Sequence, residues 1–407
     1  MRILHVSTLD WGGAANAGIR LHKGLLRQGV DSRFLSLRKD KPEIPASYDY
    51  YESTFSSRLM RKGMHFAERA YNKLNERKLK GRPSHFEVFT LSNQFSNLLK
   101  NPHYQEADVI NLHWVARFMD YPGFFNANKK PVVWTLHDME PFNGGNHYEV
   151  EFPFDGYRDL IAKQEQVKIN AMKHANINVV GPSKWLMNRS NESSVLGRFP
   201  HHNIPYGMDT SIFTGIDQNE ARKAFGIPSD KPVFIFVAEV ITNRRKGFHH
   251  LKEALNHLKG EDITLCAVGK PDESLNSIPN FMHLGVIREE RKMAMAYAAA
   301  DAFVIPSVED NLPNTVLESI CTGTPVIGFP IGGIPDMVQH GDNGIVCEEV
   351  NAASLAKGIK QFLHAENLQD RDTIRENAHA RYDESVQAKR YMQLYESLIR
   401  TTTPVPA

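Results

Sequence analysis

The amino-acid sequence predicts an α/β protein made of two Rossmann-like, doubly wound domains. Three observations carry this expectation. Short apolar runs alternate with helical patterns, the βαβα order that produces a parallel sheet covered on both faces. The pattern restarts after Ile204-Pro205-Tyr206-Gly207-Met208-Asp209, where Pro, Gly and Asp suit a linker and not a helix. Finally, 407 residues exceed the roughly 250–300 at which one hydrophobic core usually splits into two. The expected domains are 1–206 and 207–382, followed by a last helix over 383–400.

In the first half, Arg2–Ser7 reads as a strand. Ala15–Gln28 follows as a helix that turns Ile19, Leu21, Leu25 and Leu26 inward, and Ser32–Leu37 is the next strand. Val109–Leu112, Val132–Leu136 and Ile177–Val180 are apolar runs of strand length. In the second half the strands are Val233–Val240, Ile263–Val268, Phe281–Leu284, Ala302–Ile305 and Thr324–Phe329, with a helix over His249–Leu258. Pro306–Asn314 is the polar loop leaving the Ala302 strand, Thr315–Cys321 a helix with Glu318 in its first turn, and Gly332-Gly333 a turn. The tail Thr401–Ala407 is expected to be disordered.

Composition narrows the class. Hydrophobic content of 41% supports ordinary packing, and a net charge of +1 gives no global case for nucleic acid as a partner. Three cysteines (Cys266, Cys321, Cys347) form no CxxC pair, which favours a reducing cytosol and a cytoplasmic location. MRILHVSTL is too polar for a secretory core and reads as the first strand. The most apolar stretch, Met293–Pro306, is interrupted by Asp301, so no spanning helix is expected. Asp370-Arg371-Asp372, the sole Asp-x-Asp, lies away from strand ends, and no metal site is expected.

The densest segment is Asp301–Val338. It holds Asp310-x7-Glu318, then Cys321-Thr322-Gly323-Thr324-Pro325-Val326, then Gly332-Gly333-Ile334-Pro335-Asp336. Ligands of nucleotide-binding α/β domains sit outside the carboxyl ends of parallel strands, where these loops lie. The segment resembles the retaining glycosyltransferases of family 4, also called group 1, in the branch that builds polysaccharides. Their signature is Glu-x7-Glu, a small-residue turn, a Pro-Val strand and a Gly-Gly turn. The first acid here is Asp310, and Glu309 stands one residue too early.

The resemblance implies the GT-B fold, two Rossmann-like halves facing across a cleft, with acceptor bound by the first and donor by the second. It also implies that the last helix crosses back onto the first domain. It implies transfer of a hexose, with retention and without metal or other cofactor, from a nucleoside diphosphate sugar to a hydroxyl of a glycan or lipid-linked saccharide of a surface polysaccharide. Lys246 matches the family's Lys-Gly pair and would stabilise the diphosphate; the family's upstream arginine is replaced by Ile241, so Arg244 or Arg245 would substitute. Asp310 would meet the donor sugar and Glu318 the ribose diol, since a carboxylate only accepts. Asn311, Leu312, Asn314 and Thr315 would add donor contacts. Gly12-Gly13 matches a loop that approaches phosphate, with Asn16 beside it on the acceptor side. His137 matches the histidine near the reacting centre.

Other features stay open to two readings. His113 and Trp114 end a first-domain strand and line an acceptor site or pack in the core. Phe142–Tyr148 reads as a polar cleft loop. Arg58–Arg82 carries nine Lys/Arg and two Glu, with Met60, Met64, Ala67, Tyr71 and Leu74 on one helical face. It is either an amphipathic helix on an anionic inner membrane surface or an ordinary surface helix. A GT-B sugar-nucleotide epimerase or hydrolase, and a non-catalytic glycan- or nucleotide-binding protein, are the alternatives to the transferase.

Overall fold

The computed structural model describes residues 1–79, 88–150, 155–271, 275, 278–364 and 368–402. The chain divides into two compact units, one of Met1–Tyr206 with Gln387–Ala407, the other of Gly207–Val386. Each is built on a parallel sheet flanked by helices, which is the fold class read from the sequence.

The first unit has seven strands: β1 (Arg2–Ser7), β2 (Asp31–Ser36), β3 (Ser47–Asp49), β4 (Val109–Leu112), β5 (Val132–Thr135), β6 (Ile177–Gly181) and β7 (His201–Asn203). Their order is β3-β2-β1-β4-β5-β6-β7. Alternate residues serve opposite faces. Leu4, Val6, Ile110, Leu112, Val132 and Trp134 join one core cluster. Ile3, Val109 and Val133 join another, with Leu21 and Leu25 of the helix Gly13–Arg27. That second face is closed by the helix Glu384–Thr402, which lays Ala388, Tyr391, Leu394, Tyr395 and Leu398 on it at helical spacing. Burying Leu394 and Leu398 is worth about 1.5–3 kcal/mol each. The two tyrosines also reach into the sheet, Tyr391 to Thr135 at 2.9 Å and Tyr395 accepting from Asn111 at 2.7 Å.

The second unit has six strands: β8 (Val233–Val240), β9 (Thr264–Lys270), β10 (Phe281–His283), β11 (Ala302–Ile305), β12 (Val326–Gly328) and β13 (Gly344–Val346), ordered β10-β9-β8-β11-β12-β13. Asp301, which breaks the Met293–Pro306 apolar run, has a structural task. Its carboxylate accepts from the backbone N–H of Val233 and from Arg222, both at 2.7 Å, and so joins β8 to the start of β11. Asp370 caps the helix Arg371–Tyr382 by accepting from the N–H groups of Asp372 and Thr373, which accounts for the Asp-x-Asp.

Three expectations are corrected. The helix carrying Glu318 spans Asn314–Thr322, so Glu318 opens its second turn and not its first. The last helix runs on through Thr401 and Thr402, and the remainder of the tail lies outside the described residues. The basic segment is a helix over Arg58–Glu76 followed by a short 3-10 turn to Leu79, with Lys80 and Arg82 outside the described residues. Its expected single apolar stripe is split. Met64, Ala67 and Tyr71 are half-buried against the unit, whereas Met60 and Leu74 are exposed and Glu68 is buried. No described helix is long and apolar enough to cross a membrane.

Candidate functional site

In the second unit the strand order reverses between β8 and β11. The loops leaving the carboxyl ends of these neighbours diverge there, which is where open α/β sheets hold ligands. The loop after β8 makes a 3-10 turn, Arg244–Lys246, opened by the Asn243 side chain accepting from the N–H of Arg245 at 2.9 Å. The loop after β11 carries Asp310. The two are joined directly: the N–H of Val308 donates to the carbonyl of Arg245, and the Arg245 guanidinium donates to the carbonyl of Glu309 at 3.0 Å.

Lys246 and Arg245 converge on Asp310. The Lys246 ammonium lies 2.5 Å from its carboxylate and the Arg245 guanidinium 3.8 Å away, with the Ser307 hydroxyl at 3.5 Å. Asp310 is buried, which would raise its pKa, but the two cations and the Asn311 backbone override burial and hold it below the usual carboxylate range. Two glycines make the fit possible. Gly247 and Gly332 have φ of +71° and +54°, and a Cβ on either would sit within 1.7 Å and 1.6 Å of the carbonyl oxygens of Pro306 and Asp310 respectively. Arg244 is exposed, so of the two arginines it is Arg245 that faces the acid. Glu318 is half-buried one helical turn beyond the start of its helix, 3.4 Å from the Tyr297 hydroxyl. Asn314 and Thr315 open that helix, and the Leu312 side chain is buried, leaving only its backbone for a ligand.

The first unit has its own switch point, between β1 and β4. Gly12 and Gly13 start the helix after β1, and Asn16 lies in its first turn, accepting from Lys41 at 3.4 Å. Behind them runs a row of rings. His5 on β1, His113 just past β4 and His137 just past β5 are linked nitrogen to nitrogen at 2.9 and 3.1 Å, and the row ends at the Tyr206 hydroxyl, 2.7 Å from His137. Burial pushes His137 down to about 4 and His5 and His113 well below the ordinary value. Each ring is therefore neutral near pH 7, and each link uses one N–H, so the tautomers of the row are ordered together.

This geometry corrects two assignments. His113 is only 2% exposed and both ring nitrogens serve other histidines, so it does not contact an acceptor. A hydroxyl reaches His137 only by displacing Tyr206 or His113. Trp114 is half-buried and donates to Asp138 at 2.9 Å. Asp138 also holds His147 at 2.7 Å; burial alone would lower the His147 pKa, but the Asp138 carboxylate overrides it and the value ends raised. The Phe142–Tyr148 segment is not a polar cleft loop. Phe142, Asn146 and His147 are buried, and the segment is anchored by Lys168, which donates to the Asn143 carbonyl at 2.7 Å and to the Glu140 carboxylate at 2.8 Å. Among the described residues no group of three His, Cys, Asp or Glu is placed to hold a metal ion.

Residues 217–381 match the family described as glycosyl transferases group 1. The match covers less than half of the chain, within the second unit, and bears out there the resemblance read from the sequence. Proteins similar to this chain include the putative teichuronic acid biosynthesis glycosyltransferase TuaC of Bacillus subtilis, 25% identical over 52% of this chain and 54% of the relative. The lipopolysaccharide core biosynthesis glycosyltransferase LpsE of Rhizobium meliloti is 31% identical over 40% and 48%. The chain thus spans about half the length of the curated relatives it matches. Among solved structures, sucrose-phosphate synthase from Thermosynechococcus elongatus superposes with a TM-score of 0.70 at 18% identity, covering 99% of this chain and 100% of that one. Anabaena HepE in complex with UDP-glucose gives 0.63 at 17%, covering 98% and 100%. At these identities the likeness carries the GT-B fold.

Sequence reasoning missed His5, Tyr206, His147, Ser307 and Tyr297 as site residues. His5 had a signal, a polar ring inside an otherwise apolar strand. Tyr206 and Tyr297 had none, because only the fold brings them to His137 and Glu318.

Proposed function

We propose that this chain is a retaining, metal-independent glycosyltransferase that moves a hexose from a nucleoside diphosphate sugar to a hydroxyl of a glycan or lipid-linked saccharide in surface polysaccharide synthesis. The observation that carries the reading is the Arg245–Lys246–Asp310 cluster at the β8–β11 switch point. When the bond from the anomeric carbon to the diphosphate breaks, the electron pair leaves on the diphosphate oxygen. Lys246 and Arg245 are the cations available to stabilise it, which is the task a metal performs elsewhere. Asp310 would accept from a sugar hydroxyl, and Glu318 from the ribose diol. The acceptor oxygen then forms the new bond, and its proton leaves with the nucleoside diphosphate. The relatives in teichuronic acid and lipopolysaccharide core synthesis support the polysaccharide class, and the UDP-glucose complex of HepE makes that donor the first to test.

The test is nucleoside diphosphate release from a panel of UDP-, GDP- and ADP-sugars, with and without saccharide acceptors, in excess EDTA. The expected outcome is acceptor-dependent release that survives chelation. Release without acceptor would favour the hydrolase or epimerase, no release with any donor would favour a binding protein, and a requirement for added Mg2+ or Mn2+ would overturn metal independence.

A further inference from the structure

We propose that the helix Arg58–Glu76 seats this protein on an anionic lipid bilayer. The inference stands on the surface of the first unit and does not depend on the transfer reaction.

The helix has three faces. One is tied to the unit through half-buried Met64, Ala67 and Tyr71 and buried Glu68, with the Tyr71 ring 6.1 Å from Phe95 and the His65 ring 4.0 Å from Tyr51. A second face is apolar and points to solvent. Leu59 is 81% exposed, Phe66 76%, and Met60 and Leu74 56% each, with Gly63 and Ala70 between them. Leaving four large hydrophobic side chains on one helix in water is a cost that a partner removes. The third face is cationic. Arg58, Lys62, Arg69 and Lys73 are all exposed along one flank of the apolar stripe, and none makes an ion pair among the described residues. The helix holds five Lys/Arg against two Glu.

An apolar stripe bordered by unpaired cations is the pattern of a helix lying in a membrane interface. The stripe enters the acyl boundary while the long basic side chains reach the headgroups. A second copy of this chain is a poor occupant, because pairing the same faces would oppose the cationic flanks. Neutral lipid would meet the apolar stripe but leave the cations without partners. Anionic headgroups satisfy both faces at once.

The experiment is flotation of the full chain with phosphatidylcholine vesicles, with and without phosphatidylglycerol. Binding is expected only to the anionic vesicles and should weaken with salt. Replacing Lys62, Arg69 and Lys73 by Gln should reduce partitioning on the order of 100-fold, the equivalent of about 1 kcal/mol for each cation removed. Leu59→Ser with Phe66→Ser should also release the protein although every charge remains. Phe66→Trp should retain binding, with the new indole shifting its emission to the blue on anionic vesicles. Thermal melts check that these exposed substitutions leave the fold intact. The proposal is overturned if the unmodified chain stays unbound at low salt, if binding survives loss of the three cations, or if the indole shows no shift. It is equally overturned if this face buries itself in a concentration-dependent dimer without lipid. None of these readouts uses turnover, so failure here is distinguishable from failure of the proposed reaction.

Discussion

Lys246 and Asp310 hold each other at 2.5 Å, so the donor has to share or displace a contact the protein already makes. That coupling lets the catalytic and structural parts of the pair be separated. Lys246→Ala should lower kcat/KM by roughly 30- to 1,000-fold, the equivalent of ~2–4 kcal/mol for one charge-assisted contact in the transition state. It should also lower Tm, because it leaves a buried carboxylate with Arg245 alone at 3.8 Å. Adding Asp310→Asn removes the stranded charge, so the double variant should regain much of the lost Tm while turnover stays low. A double variant that regains turnover would mean that Lys246 acts only by holding Asp310. The sequence exposed both residues through their motifs, Lys246 beside a glycine after a strand and Asp310 by its spacing to Glu318. It did not expose their pairing, because 64 residues separate them and only the adjacency of β8 and β11 closes the gap. The same limit hid Tyr206, whose hydroxyl meets His137 from 69 positions away.

Between residue and fold, the elements that position the site are loops pressed together at backbone level. The Gly332 turn after β12 lies against the Asp310 loop after β11, and the N–H of Gly333 donates to the Asp310 carbonyl at 3.3 Å. Gly332→Ala therefore carries two costs. A side chain at φ +54° is strained by about 1–3 kcal/mol, and its Cβ would stand 1.6 Å from the Asp310 carbonyl oxygen, forcing that loop to move. Donor affinity should fall even at temperatures where the variant is fully folded. Calorimetric titration with nucleoside diphosphate checks this, and unchanged affinity would show that the turn does not set the position of Asp310. Elements were legible in the sequence where at least four consecutive buried apolar residues mark them, or three around a buried polar one. Val109–Leu112, Val233–Val240 and Ala302–Ile305 are strands with the bounds read from their apolar runs. The edge strands β3, β7 and β13 were not legible. Each has three residues, and Ser47–Asp49 and His201–Asn203 are polar and largely half-buried, so no apolar run or alternation marks them.

At the scale of the whole molecule the two units differ in one property that composition conceals. Every described histidine that is buried belongs to the first unit: His5, His22, His113, His137 and His147. Burial pushes His22 and His137 down to about 4 and His5 and His113 well below the ordinary value, with neighbouring histidines lowering His5 and His113 further. The sign follows from linkage. Below the ordinary pKa of about 6.5 the unfolded chain takes up protons that these folded sites refuse, so stability falls as pH falls through that value, and keeps falling until the folded sites titrate. His147 adds no slope in this window. Its folded pKa is raised, so it is protonated in both states below 6.5, and its contribution is lost instead as pH rises through the folded value. Four sites at about 1.4 kcal/mol per proton give a slope of roughly 5 kcal/mol per pH unit, against a total stability on the order of 5–15 kcal/mol. The first unit should therefore unfold between about pH 6 and pH 4, before the second. The chain supplies its own reporter, because all four tryptophans, Trp11, Trp114, Trp134 and Trp185, lie in the first unit. Their emission should shift in a steep transition taking up more than two protons, while far-UV circular dichroism retains the helices and strands of the second unit to lower pH. Coincident transitions by the two probes, or a tryptophan transition that begins only below pH 4, would show that the row of histidines is not what limits the fold in acid.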